Sequence, residues 1–194
     1  MANKVVVFMD FDGVINWHGT SRSQVKKYAD AFGYWRRHSV PLDSGVAGGW
    51  GTHSTTWQDI SWSAELVKKL MDLKDDTGYV WRWLSTWVNE TEKLDRILGI
   101  KSDGWVNWNP YPVPSVADIS AYRCARKLDV VLDFAKNNPD TPFVWVDDEA
   151  VDLWTDDHAA SMTAPHLVVK PWEKFGLVKH DLAKISDFVK MHSV

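Results

Sequence analysis

Val5-Val6-Val7-Phe8-Met9-Asp10-Phe11-Asp12-Gly13-Val14 begins as an unbroken apolar run and ends in two acids one residue apart. A run of this kind reads as a strand buried on both faces, as in parallel sheets. The glycine after the acids lets the chain turn. Open α/β sheets bind ligands outside the carboxyl ends of their strands, where Asp10 and Asp12 fall. Two neighbouring carboxylates repel unless a cation or a shared proton relieves them. The pattern therefore points to a divalent metal and to phosphate chemistry.

Two further apolar runs end in chemically useful residues. Tyr79-Val80-Trp81-Arg82-Trp83-Leu84 leads into Ser85-Thr86, and Phe143-Val144-Trp145-Val146 leads into Asp147-Asp148-Glu149. Ser63 caps a helix expected from Ala64 to about Lys74, followed by a turn at 75–78. Another helix is expected from about Val88 to Leu98, closed by Gly99. Lys127 is expected to open the next helix, in which Leu128, Val131, Leu132 and Ala135 share a face and which Asn138-Pro139-Asp140 ends. A helix from about Val151 to Met162, a strand over His166–Val169 and a last helix from about Lys179 to Met191 complete the chain. Strands alternating with helices imply parallel pairing, so the carboxyl ends gather Asp10, Asp12, Ser85, Thr86, Asp147 and Asp148 at one edge, within reach of Lys127.

Residues 15–62 show no sustained period. They read as an irregular flap or small cap inserted after the first strand, with one helix from Ser23 to about Arg37. His18, His38 and His53 lack the tight spacing of a zinc site. Residues 100–122, with Pro110, Pro112 and Pro114, read as a rigid aromatic loop.

Composition narrows the class. The 194 residues suit one domain and are 45% hydrophobic, enough for a core. A net charge of −4 excludes a broad electrostatic grip on nucleic acid, though not a local basic patch. Cys124 is the only cysteine, which excludes a disulfide framework and a cysteine-based zinc site and fits a cytoplasmic setting. No apolar segment is long enough to suggest a signal peptide or a membrane span. The 13 tryptophans are expected mainly in packing.

Taken in order, Asp10-Phe11-Asp12-Gly13-Val14, Ser85, Lys127 and Asp147-Asp148 resemble the four motifs of the haloacid-dehalogenase (HAD) superfamily. Trp83-Leu84-Ser85-Thr86-Trp87, Val144-Trp145-Val146-Asp147-Asp148-Glu149 and Gly176-Leu177-Val178-Lys179-His180 are most similar to the HAD domain of Swiss Army Knife RNA repair proteins. The resemblance implies one α/β domain over residues 1–194, with a three-layer Rossmann-like core and a mainly parallel sheet. It implies a Mg²⁺-dependent phosphatase. Asp10 would be the nucleophile and Asp12 the general acid and base. Ser85, Thr86, Lys127 and Gly13 would bind the phosphoryl group. Mg²⁺ would be held by Asp10, by the Asp12 carbonyl and by the acidic pair, with Asp148 the direct ligand and Asp147 orienting. An acid at Asp12 favours oxygen esters over dehalogenation.

The resemblance also implies nucleotides or 3′-phosphate nucleic-acid ends as substrates. Trp17, Trp35, Trp50, Trp105, Trp108 and Tyr111 are candidate stacking rings, and Arg22, Arg36, Arg37, Arg123 and Arg126 candidate phosphate contacts. A small-metabolite phosphatase and a non-catalytic module that holds phosphorylated ends remain open at this point. Oligomeric state is not readable from the sequence.

Overall fold

The computed structural model describes residues 4–17, 30–33, 35–43, 55–88, 90–108 and 119–193. Four strands form the central sheet: β1 (Val6–Met9), β4 (Val80–Trp83), β5 (Phe143–Val146) and β6 (His166–Val169), in the order β4-β1-β5-β6. Every pairing in it is parallel, with Met9 opposite both Trp83 and Val146, and Val146 opposite Val169. All four carboxyl ends therefore lie in register at one edge.

Side chains alternate across this sheet as the pleat requires. Val7, Met9, Trp81, Trp83, Val144, Val146 and Val169 enter one core together with Leu66, Leu70, Leu94, Ile185 and Val189. These last come from α1 (Ala64–Thr77), α2 (Thr91–Leu98) and α5 (Lys179–His192). Phe8, Phe143 and Trp145 enter a second core with Val131 and Ala135 of α3 (Ile119–Asn137). Helices thus cover both faces, and the fold is α/β with a mainly parallel sheet, compatible with a Rossmann-like arrangement. No helix among the described residues is long and apolar enough to cross a membrane.

Local signals explain the helix ends. The Ser63 side chain accepts from the Leu66 amide, Glu65 lies in the first turn of α1, and Lys74 in the last. Both charges complement the helix dipole. The turn expected at 75–78 is instead helical up to Thr77, with Gly78 as the cap. The Lys74 ammonium reaches the Tyr79 carbonyl and the Asp103 carboxylate, which ties this last turn to the sheet. Gly99 closes α2 as expected, but the helix starts at Thr91 after a turn through 86–88.

Three other expectations need correction. Trp35–Arg37, expected as the last turn of a helix, belong to β2 (Trp35–Asp43), which pairs antiparallel with β3 (Thr55–Ser63). Of the rest of that expected helix, residues 30–33 form a turn and coil rather than helix, and 23–29 and 34 lie outside the described residues. Among its described residues, the inserted segment thus holds an antiparallel strand pair that the sequence reading does not contain. Its anchor is the alternation Ile60, Trp62 on β3 with Val40 of β2, which stands opposite Gln58 on the same face, all three buried in the first core. Lys127 does not open α3 but sits two turns inside it, on the buried stripe Lys127–Val131–Ala135. The helix expected over 151–162 is broken into a 3₁₀ turn, Ala150–Leu153, and the short α4, Asp156–Ser161. Thr155 makes the break by capping α4, accepting from the His158 amide.

Most of the described tryptophans are packing residues. Trp17, Trp62, Trp81, Trp83, Trp87, Trp108 and Trp145 are buried, and only Trp57, Trp105 and Trp172 are substantially exposed. This removes Trp17 and Trp108 as rings open to a base. Trp50 and Tyr111, together with Arg22, lie outside the described residues.

Candidate metal centre

The sheet order places a topological switch point at β1. The chain leaves β1 for β4 on one side and later returns to β5 on the other. Parallel sheets open a ligand crevice at such a point. Asp10 follows β1 and Asp147 follows β5, so two acids flank the crevice. Main-chain bonds hold both positions: the Asp10 amide donates to the Val146 carbonyl at 3.0 Å and the Asp147 amide to the Val169 carbonyl at 3.3 Å. On the other flank, the Leu84 amide donates to the Met9 carbonyl at 2.9 Å and presents the buried Ser85 beside them.

Lys127 enters this edge from α3. Its ammonium lies 2.5 Å from Asp10 Oδ2 and 2.7 Å from Asp147 Oδ2. All three groups are nearly or wholly inaccessible, at 5%, 6% and 0% exposure for Lys127, Asp10 and Asp147. The other Asp147 oxygen accepts from the amides of Glu149 and Ala150. Asp10 Oδ1 accepts from the Phe11 amide at 2.7 Å. Asp148 is less buried and faces a cleft of about 430 Å³, between the start of α3 and the segment after β6.

Carboxylate oxygens of Asp10, Asp147 and Asp148 can lie within 4.8 Å of one another. Three carboxylates against one ammonium leave two surplus negative charges in a region sheltered from water. Surplus charge of this kind is relieved by protons or by a cation. Without a cation, burial, followed by repulsion from Asp147, pushes the Asp10 carboxyl up to about 8, with Lys127 pulling the other way. Burial and then Asp147 push Asp148 up to about 6. Burial opposes the charge on Lys127, but the two aspartates outweigh it and hold the ammonium above its ordinary value. A divalent cation would cancel the surplus, and hard oxygen donors are what Mg²⁺ takes. The donor set fits such an ion.

This yields a stability prediction. Asp10 binds its proton more tightly folded than unfolded, so between about pH 4 and 8 the folded protein carries the extra proton. Metal-free stability should therefore fall as pH rises through this window, by at most about 1.4 kcal/mol per pH unit for one proton. Millimolar Mg²⁺ should remove most of the slope. Urea titrations from pH 5 to 8 with and without the ion measure it, and a slope unaffected by Mg²⁺ would contradict a cation site.

The Asp12 carboxylate, expected as acid and base while its carbonyl holds the metal, lies near enough to Asp10 for its charge to help raise that carboxyl, and two side-chain donors hold it. Its Oδ1 accepts from Asn16 Nδ2 at 2.7 Å and its Oδ2 from Trp87 Nε1 at 2.8 Å. Asn16 Oδ1 in turn accepts from the Ser61 amide at 2.7 Å. The side chain of Asp12 thus belongs to a network between β3 and the segment after β4, outside the three-carboxylate cluster. Its main chain passes directly beneath the cluster through Gly13.

Gly13 adopts φ +67°, and a Cβ built there overlaps the Asp148 carboxylate. Any side chain would be strained by the backbone and would displace Asp148. Gly13→Ala should cost about 1–3 kcal/mol of stability from the backbone conformation alone. It should also weaken Mg²⁺ binding at least about tenfold if the displaced ligand loses about 1.4 kcal/mol. Calorimetric titration of Mg²⁺ into both proteins checks this, and equal affinities would place Asp148 away from the ion.

The structure thus brings together Asp10, Lys127, Asp147, Asp148 and Gly13, with Ser85 at the neighbouring strand end. Thr86 follows Ser85 in a turn and is half-buried. No family model, curated protein or solved structure matches the chain.

Sequence reasoning missed three contributors: Asn16, Trp87 as a partner of Asp12, and the Lys170–Glu173 segment that lines the cleft. Nothing in the sequence marks Asn16. The last was legible, because it follows β6 just as Asp10 follows β1.

Proposed function

We propose that this chain is a HAD-type phosphohydrolase that removes phosphate from monoesters through an aspartyl-phosphate. The observation that carries the reading is the convergence of Asp10, Asp147 and Asp148 with Lys127 at the switch point of a parallel sheet. A buried carboxylate fixed by a lysine and by its neighbour's amide is a positioned nucleophile.

The Asp10 carboxylate attacks phosphorus, the ester P–O bond breaks, and its electron pair leaves on the alcohol oxygen. Asp12 gives that oxygen a proton. A water deprotonated by Asp12 then attacks the aspartyl-phosphate, which releases inorganic phosphate and restores Asp10. Asn16 and Trp87 each donate to the Asp12 carboxylate and orient it for both transfers. Ser85 and the amides of the following turn bind phosphoryl oxygens, and Lys127 offsets charge shared by Asp10 and phosphate. Asp10, Asp148 and the Asp12 carbonyl would hold Mg²⁺, which would supply charge neutralisation to the site when bound. Asp147, both of whose oxygens already serve Lys127 and two amides, orients the group.

Small esters are favoured over polynucleotide ends. Trp17 and Trp108 are packed in cores, Arg37 pairs with Asp59, and Arg126 pairs with Asp129. An end-binding module without turnover is disfavoured, because each reactive residue is present and sheltered. Release of phosphate from a chromogenic monoester tests the proposal. Turnover should require Mg²⁺ and stop in excess chelator; full activity in chelator, or none with Mg²⁺, would sink it.

A further inference from the structure

The cleft beside Asp148 has a definite chemistry. Its volume of about 430 Å³ suits a small molecule. Of the acids lining it, Asp152 is neutralised by Lys170, whose ammonium lies 2.5 Å from both carboxylate oxygens. Asp148 belongs to the metal cluster. Glu149 and Glu173 remain, and neither forms an ion pair among the described residues. Glu149 only accepts from the Ser120 hydroxyl at 2.9 Å and from the Cys124 thiol at 3.8 Å. Trp172 lines the same cleft, 52% exposed, with its ring edge-on to Phe175 at 4.8 Å.

An exposed indole in a cleft that also holds two carboxylates outside any ion pair among the described residues attracts an organic cation through both charge and ring quadrupole. Lys174 lies 6.0 Å from the same ring centroid, at the outer limit of such a contact, and the two glutamates outnumber it. Because Asp148 forms a wall of the cleft and a corner of the carboxylate cluster, the cleft adjoins any phosphoryl group held at Asp10.

We propose that this cleft receives the alcohol half of the phosphate ester, and that this alcohol carries an alkylammonium group held by Trp172, Glu149 and Glu173. The proposal rests on the phosphohydrolase reading. The transfer itself is unchanged: the P–O bond to the amino alcohol breaks, and the alcohol leaves with the proton from Asp12.

Two measurements test it on the intact protein. Choline is titrated calorimetrically into the native chain, Trp172→Ala and the volume-conserving Glu173→Gln. Phosphocholine and its neutral isostere 3,3-dimethylbutyl phosphate are then compared as substrates with Mg²⁺. Choline should bind saturably, and at least about tenfold more weakly to Trp172→Ala, the scale of a desolvated cation–ring contact. Glu173→Gln should weaken it several-fold. Native kcat/KM should favour phosphocholine by at least about tenfold, with the ratio falling toward one in Trp172→Ala. Absence of saturable choline binding, or equal binding to all three proteins, overturns the cation site. If both esters are hydrolysed equally and choline does not bind, the cation site fails and the phosphohydrolase stands. If choline binds as expected and neither ester turns over, the phosphohydrolase reading fails alone.

Discussion

Asp10→Asn is expected to remove phosphomonoester turnover by at least about 10⁴-fold, equivalent to about 5.5 kcal/mol of transition-state stabilisation. An amide in this place has nearly the same volume but no anionic oxygen to attack phosphorus. The fold should survive, since Lys127 keeps its second partner, Asp147, at 2.7 Å. Metal-free stability near pH 8 should even rise, because one of the two surplus negative charges is gone. Phosphate release and urea denaturation on the same preparation separate the effects. A folded variant with more than a tenth of native activity would show that Asp10 is not the nucleophile.

Lys127→Ala should be the most destabilising single change in the site, costing about 3–5 kcal/mol, because it strands buried carboxylates without a counter-charge. Asp10 and Asp147 are otherwise faced by amides and by one another. The loss should be largest above about pH 8, where Asp10 is ionised, and should shrink as acid protonates it. Mg²⁺ should restore part of it. Denaturant titrations at pH 6 and pH 8.5 provide the check; a cost below about 1 kcal/mol, the scale of an exposed ion pair, would contradict the buried triad.

Both predictions concern residues that the sequence already exposed. The apolar runs before Asp10, Ser85 and Asp147 were legible because strands buried on both faces leave few alternatives, and parallel pairing then aligns their ends. Lys127 was found for its charge but misplaced in its helix. The start of α3 lies next to a Pro-rich stretch, and a lysine on a buried stripe breaks the apolar period that marks a helix. The β2–β3 pair was hidden for a related reason. Arg36 to Ser39 are exposed on both sides of their strand, so only Val40, Ile60 and Trp62 report the pleat. Asp12's true surroundings could not be read, because its partners Asn16 and Trp87 meet only after the chain has folded back from β4. The cleft residues Lys170–Glu173 were open to the same strand-end argument as Asp10, and lacked only an acidic doublet to draw attention.

Asn16 joins parts of the molecule that are distant along the chain. Its amide group holds the Asp12 carboxylate with one end and the Ser61 main chain with the other, and the next residue, Trp17, donates its own amide to the Ser61 carbonyl at 3.1 Å. Strand β3 and the acid-bearing turn are therefore expected to open to solvent as one cooperative unit. A ligand that clamps the strand pair should therefore slow amide exchange at Ser61 and narrow the orientations of Asp12 in the same stroke, because both draw on a single local unfolding equilibrium.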